Sequence, residues 1–114
     1  MLNQVVMVGR LTADPEVRET ENDNKFSKIT IAVPRSYKNA DGVYETDFIP
    51  VDIWNNIAEN TAEYCKKGDI IGVKGRLQVD SFEKDGEKKQ VLKVAAEKIT
   101  FLSSKSKEEP EPAM

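Results

Sequence analysis

Four aromatic side chains, Tyr37, Phe48, Trp54 and Phe82, fall in or beside stretches that also carry cations, and this pairing is the most informative chemistry in the chain. In "TDFIPVDIWNN", residues 46 to 56, side-chain alternation along an extended strand puts Ile49, Val51 and Ile53 on one face. Phe48, Pro50, Asp52 and Trp54 share the other, a poor composition for an interior and a suitable one for contacting something flat. In "DIIGVKGRLQVDSF" the same parity sets Ile71, Val73, Leu77 and Val79 against Lys74, Arg76, Gln78, Asp80 and Phe82. Tyr37 and Lys38 stand in the hairpin between. Rings interleaved with cations suit single-stranded nucleic acid, because an unpaired base offers a π-face to stack and its phosphate accepts charge from Lys and Arg. Outer aromatics also serve as cross-strand pairs or as interface anchors between subunits, and residue types alone leave that alternative open.

The elements that must position these residues are mostly strands. "LNQVVMVGR" reads as a buried opening strand, Asp14-Pro15 as a turn before a short extended piece, and "ETENDNK" as a loop. "FSKITIAVP" alternates with Ile29, Ile31 and Val33 inward and is expected to stop at Pro34. Asp41-Gly42 and Asp85-Gly86 signal hairpins, the second leading into "KKQVLKVAAEKITFL" for the final strands. A helix is expected over "NIAENTAEYCKKG", capped by Asn55 or Asn56 and closed by Gly68, with a stripe of Ile57, Ala58, Thr61, Ala62, Tyr64 and Cys65. Phe26 and Phe101 are assigned to the core, Tyr44 and Tyr64 to packing, Cys65 to a small buried hydrophobe, and Lys88 and Lys89 to a solvated hairpin. The glycines of "GVKGRL" match no phosphate loop and fit bending or close approach in a strand. About five strands with hairpin connections and one helix imply an all-β fold with a single helix, a five-stranded Greek-key barrel of the OB type with extended hairpins.

At 114 residues the chain holds one domain. No apolar run approaches 20 residues and the start lacks the basic region and apolar stretch of a signal peptide, so a cytoplasmic location is expected. A single cysteine and no histidine remove intrachain disulfides, the usual zinc-ligand sets and the commonest general base, which argues against an enzyme and for no cofactor or metal. A hydrolase built on scattered carboxylates ranks far lower, since none forms an acidic cluster. The formal charge is -3, and the short charged tail "SSKSKEEPEPAM", residues 103 to 114, expected to be disordered, contributes only -1 of it. Any attraction for phosphate must therefore come from a local stripe of cations.

"LNQVVMVGRLTADPEVR", "FSKITIAVPRSYKN" and "YCKKGDIIGVKGRLQ", in that order, resemble the bacterial and phage single-stranded DNA-binding protein family over residues 1 to 102. The resemblance implies an OB-fold domain that coats single-stranded DNA without sequence specificity during replication, recombination and repair. It carries the family's stacking positions onto Tyr37, Phe48, Trp54 and Phe82, with Tyr in place of a frequent Trp at the first. It carries phosphate contacts onto Arg10, Arg18, Arg35, Lys38, Lys67, Lys74 and Arg76, and it implies a homotetramer built from dimers. Bacterial members usually end in an acidic tip with a Pro-Phe pair that recruits replication and repair proteins, whereas this sequence ends "EEPEPAM". A competing implication, from similarity to primosomal replication proteins, makes the same aromatic face a docking surface for a protein.

Overall fold

Alternating β-branched residues build this chain as a run of strands, and a computed structural model describes residues 1–102. The expected disordered tail, residues 103 to 114, lies outside the described residues. In chain order the elements are β1 (Val5–Leu11), β2 (Arg18–Glu19), β3 (Lys25–Lys38), β4 (Tyr44–Trp54), α1 (Asn55–Tyr64), β5 (Ile70–Lys84) and β6 (Glu87–Phe101). The sheet order is β1-β5-β6-β4-β3-β2, and β1 pairs again with β3. That second pairing closes β1, β5, β6, β4 and β3 into a five-stranded barrel, the OB-type architecture expected, with β2 as a short flanking strand.

The barrel interior takes one face of each strand. Leu11, Ile29, Ile31, Val51, Ile53, Ile71, Val73 and Val94 are buried there, together with Ala58 and Cys65 from the helical segment. Closure demands close backbone approach at two glycines. A Cβ on Gly9 would lie 2.7 Å from the Ala32 carbonyl oxygen, and one on Gly75 would lie 2.2 Å from that of Ala95. Beside Gly75 the β5–β6 register shifts by one residue, since Lys74 opposes Lys98 and Gly75 opposes Ala96. This bulge bends β6 and lets one strand serve both the barrel and the arm beyond it.

Several expectations are corrected. β3 passes through Pro34, pairing it with Thr46, and reaches Lys38 after a register irregularity that absorbs the missing N–H. β1 is only half-buried, with Val6 and Val8 exposed on its outer face. Leu77 and Val79 continue the inward parity of β5 but are exposed, because β5 has by then left the barrel and no described residue covers that face. "KKQVLKVAAEKITFL" is one long strand rather than several. The helix ends at Tyr64, and Gly68, at φ 93°, belongs to the following turn. Neither asparagine caps it: the N-cap position is Trp54 and makes no side-chain cap bond, while the Asn55 Oδ1 accepts from the Lys25 backbone N–H at 3.0 Å. Asn55 thereby ties the helix start to β3.

Both hairpin signals hold. Asp85 and Gly86 have φ of 55° and 80°, the left-handed pair of a two-residue type I′ turn. The other hairpin is closed by Asn39, whose Oδ1 accepts from the Asp41 and Val43 backbone N–H groups at 2.9 and 3.0 Å. β4 and β6 run parallel and pair only at Val51↔Val94 and Asp52↔Ala95. The β3–β4 and β5–β6 hairpins therefore leave the barrel as two separate arms on either side of a fork.

Candidate nucleic-acid interface

Register places side chains in rows on the outer face of β2, β3 and β4. Arg18, Phe26 and Trp54 oppose one another across three strands, followed along the strands by Lys28 with Asp52, Thr30 with Pro50, and Ala32 with Phe48. Directly opposed residues share a face. Phe48 is 65% exposed and Trp54 43%. They are six residues apart on one strand, about 20 Å at roughly 3.3 Å per residue. The small side chains of Ala32, Thr30 and Pro50 leave a low floor beside and between them.

Phe26 belongs to this face and not to the core. Its ring lies 4.5 Å from that of Trp54, tilted by 49°. The parity that turned Ile29 and Ile31 inward already turned Phe26 and Lys28 outward, so the signal was present in the sequence and was overridden by the hydrophobicity of Phe26. Phe101, also assigned to the core, is partly exposed and packs on Tyr64 at 5.9 Å.

Asp52 shares the outer face yet is nearly fully buried. Lys93 of β6 lies over it, its Nζ pairing with both Asp52 and Asp80. The Asp52 and Asp80 carboxylates raise the Lys93 ammonium pKa above its ordinary value, and Lys93, with the Gln78 amide, holds Asp80 below its own. Asp52 Oδ1 is buried without a hydrogen-bond partner among the described residues. Gln78 Nε2 donates to Asp80 Oδ1 at 3.0 Å, and Arg76 Nη1 donates to Gln78 Oε1 at 3.1 Å. A polar chain thus runs from the β5–β6 arm to Asp52, two residues before Trp54 on the same face of β4. Sequence reasoning gave Lys93 no role, because only the parallel β4–β6 pairing at Val51↔Val94 and Asp52↔Ala95 brings it to Asp52.

Phe82 stands near the tip of the β5–β6 arm, 46% exposed, opposite Lys89 and on the face of Arg76 and Asp80. Tyr37, 61% exposed, lies near the tip of the β3–β4 arm. On the same arm Lys38 Nζ sits 5.6 Å from the Tyr44 ring centroid, a cation–π distance. Tyr44 is itself exposed, so its packing is confined to the arm. Arg35 is engaged by two carboxylates: its Nη2 is 2.9 Å from Asp47 Oδ1 and its Nη1 3.3 Å from Glu45 Oε1. Hydrogen bonding from Arg35 lowers the Asp47 pKa, and the Asp47 and Glu45 carboxylates raise that of Arg35.

The remaining cations lie elsewhere on the barrel. Arg10 Nη1 donates to the Gly68 carbonyl at 3.0 Å, beside Lys67, whose backbone N–H donates to Asp14 Oδ1 at 2.7 Å. Lys74 opposes Val6 and Lys98 on the outer surface of β1, β5 and β6. The sequence-derived set therefore divides into four groups: Arg18 with Trp54 and Phe48, Arg35 and Lys38 with Tyr37, Arg76 with Phe82, and Arg10, Lys67 and Lys74 on the β1–β5 side. Among the described residues no group of three or more His, Cys, Asp or Glu is placed to hold a metal ion, and no helix is long and apolar enough to cross a membrane.

Comparison with known proteins adds an independent line. Residues 2–102 match the single-strand binding protein family. The chain is 44% identical over 109 residues to single-stranded DNA-binding protein B of Bacillus subtilis, covering 95% of this chain and 96% of that protein. It is 42% identical over 106 residues to single-stranded DNA-binding protein 1 of Clostridium acetobutylicum, covering 91% and 96%. A 47% match over 106 residues to the single-stranded DNA-binding protein of Oceanobacillus iheyensis covers 92% of this chain and 66% of that longer protein.

Proposed function

The chain belongs to the single-strand binding protein family, and from that premise we propose that it coats single-stranded DNA by stacking bases on Tyr37, Phe48, Trp54 and Phe82. The observation that carries the reading is the outer face of β3 and β4, where Trp54 and Phe48 stand exposed about 20 Å apart, near three nucleotide lengths, over a floor of small side chains. Stacking contributes roughly 1–3 kcal/mol per base and is indifferent to base identity, so several platforms give affinity without sequence preference. Arg18, Lys38 and Arg76 accompany the rings, and Arg10, Lys67 and Lys74 continue the cationic surface round the barrel. Contact with all four groups requires the strand to wrap. Arg35 supports this reading least, because Glu45 and Asp47 already neutralise it. The role is protection of the strand in replication, recombination and repair, in the cytoplasm and without catalysis.

Assembly into a homotetramer is part of the same proposal. Two separate apolar surfaces lie open, Val6 and Val8 on β1 and Leu77, Val79 and Leu92 on the β5–β6 arm. A dimer of dimers needs two such self-complementary faces.

Competition binding tests it: labelled poly-dT is displaced by unlabelled poly-dT and by duplex of matched length across a salt series. Displacement by single strands alone, with log affinity falling against log salt by about 0.7 per phosphate neutralised, is the expected result. Preferential displacement by one defined duplex contradicts the reading. Binding to neither, with the protein folded, favours the protein-docking alternative.

A further inference from the structure

Resting on the reading above, we propose that Phe26 and Lys28, with Arg18, hold one further nucleotide beside Trp54, its base against Phe26 and its phosphate between the two cations. The row Arg18–Phe26–Trp54 crosses β2, β3 and β4 on one face, so the aromatic surface does not end at Trp54. Phe26 lies one strand spacing, about 5 Å, from Trp54. One extended nucleotide covers that distance. The two rings meet at 49° rather than stacking flat on each other, which leaves each with a free surface.

The charge arrangement points the same way. Lys28 directly opposes Asp52, the carboxylate that would ordinarily claim it. Lys93 takes that carboxylate and Asp80 as well, and among the described residues neither Lys28 nor Arg18 makes an ion pair or side-chain hydrogen bond. Both are exposed. They meet in a cleft of about 200 Å³ lined by Glu16, Arg18, Phe26, Ser27 and Lys28. At roughly 30 Å³ per water this has room for a hydrated phosphate. Glu16 is the one carboxylate in the lining against two cations. Beyond the lining, Asp80 lies within electrostatic reach of Lys28 but is paired with Lys93. Lys93 is thus what frees Lys28: without it, Asp52 and Asp80 would compete with phosphate on this face.

The test is fluorescence anisotropy of labelled oligo-dT titrated with the full chain over a salt series, on Lys28→Gln, Lys28→Arg, Phe26→Leu, Trp54→Leu and the Phe26→Leu/Trp54→Leu double variant. Lys28→Gln is expected to bind more weakly at low salt with a salt slope shallower by about 0.7, and Lys28→Arg to keep the wild-type slope. Phe26→Leu is expected to lose about fivefold or more in affinity with the slope unchanged, and to lose it again in the Trp54→Leu background. Wild-type slope and affinity in folded Lys28→Gln would overturn the proposal. So would a Phe26→Leu effect that vanishes once Trp54 is gone, since Phe26 would then only support the neighbouring ring. Either result leaves the wider reading standing if Trp54→Leu weakens binding, whereas unchanged binding in every variant removes both.

Discussion

Trp54 and Arg35 illustrate why residue type alone does not define a contact. Trp54 is offered to solvent beside a cationic row, and its replacement by Leu is expected to lower poly-dT affinity by roughly 5- to 150-fold, the range implied by 1–3 kcal/mol of stacking. Arg35 is a cation beside an exposed tyrosine, yet two carboxylates hold it. Arg35→Gln is therefore expected to leave the salt slope of poly-dT binding unchanged, whereas Arg76→Gln makes it shallower by about 0.7, both read from titrations at several salt concentrations. A slope that falls equally in both variants would show that DNA displaces the Arg35 partners. Alternation made Phe48, Trp54 and Phe82 legible from the sequence as outward residues. It did the same for Phe26, where size and apolarity argued for the core and parity argued against it. The engagement of Arg35 was not legible, because Glu45 and Asp47 reach it only through the β3–β4 register.

Elements decide where those residues stand, and the fork between the two arms is the decisive one. Strand existence and the hairpin turns follow from β-branched alternation and from Asp-Gly signals. The point where a strand leaves the barrel does not, since Leu77 and Val79 alternate as faithfully as Ile71 and Val73 but lack a facing layer. Ahead of Val51↔Val94 the arms share no backbone pairing, and at the base of the β5–β6 arm Lys93 ties Asp80 of that arm to Asp52 of the barrel. Lys93→Met is expected to destabilise the fold by about 3 kcal/mol, the low end for breaking a buried pair because Asp80 is half open to solvent, with partial recovery in Lys93→Met/Asp52→Asn. Denaturant midpoints of the two variants check this. The pH dependence follows from the shifted groups. Asp80 is held below its ordinary 3.8, so its contribution is complete above that value and lost as pH falls through the lowered one. Lys93 is held above its ordinary 10.5, so its contribution is complete below that value and lost as pH rises through the raised one. The stability difference between wild type and Lys93→Met should then be flat from about pH 4 to 10 and shrink at both ends. Gly75→Ala tests barrel closure: its Cβ meets the Ala95 carbonyl oxygen, and a loss of about 1–3 kcal/mol in chemical unfolding is expected.

On the scale of the whole molecule, a barrel of acidic average charge carries its cations in four separated groups, so binding by one face alone would leave most of them idle. The proposed wrapping would use them, and the proposed assembly would multiply the path. If the open Val6 and Val8 face is one contact between copies, Val8→Asp is expected to lower the mass measured by light scattering from that of a tetramer to that of a dimer or monomer. An unchanged mass would place the contacts elsewhere. Class and architecture were readable from composition and alternation; assembly was not, because the sequence does not distinguish an outward valine that meets water from one that meets a second copy. The central claim is that Trp54 sits on a surface for unpaired bases, and Trp54 is the sole tryptophan. Titrating its fluorescence with poly-dT and with matched duplex, at low and high salt, tests this most directly. Strong quenching by poly-dT alone, saturating at a fixed nucleotide-to-protein ratio and weakening with salt, is the predicted result. Fluorescence that stays unchanged while poly-dT is demonstrably bound would contradict it and move the DNA path away from the β3–β4 face.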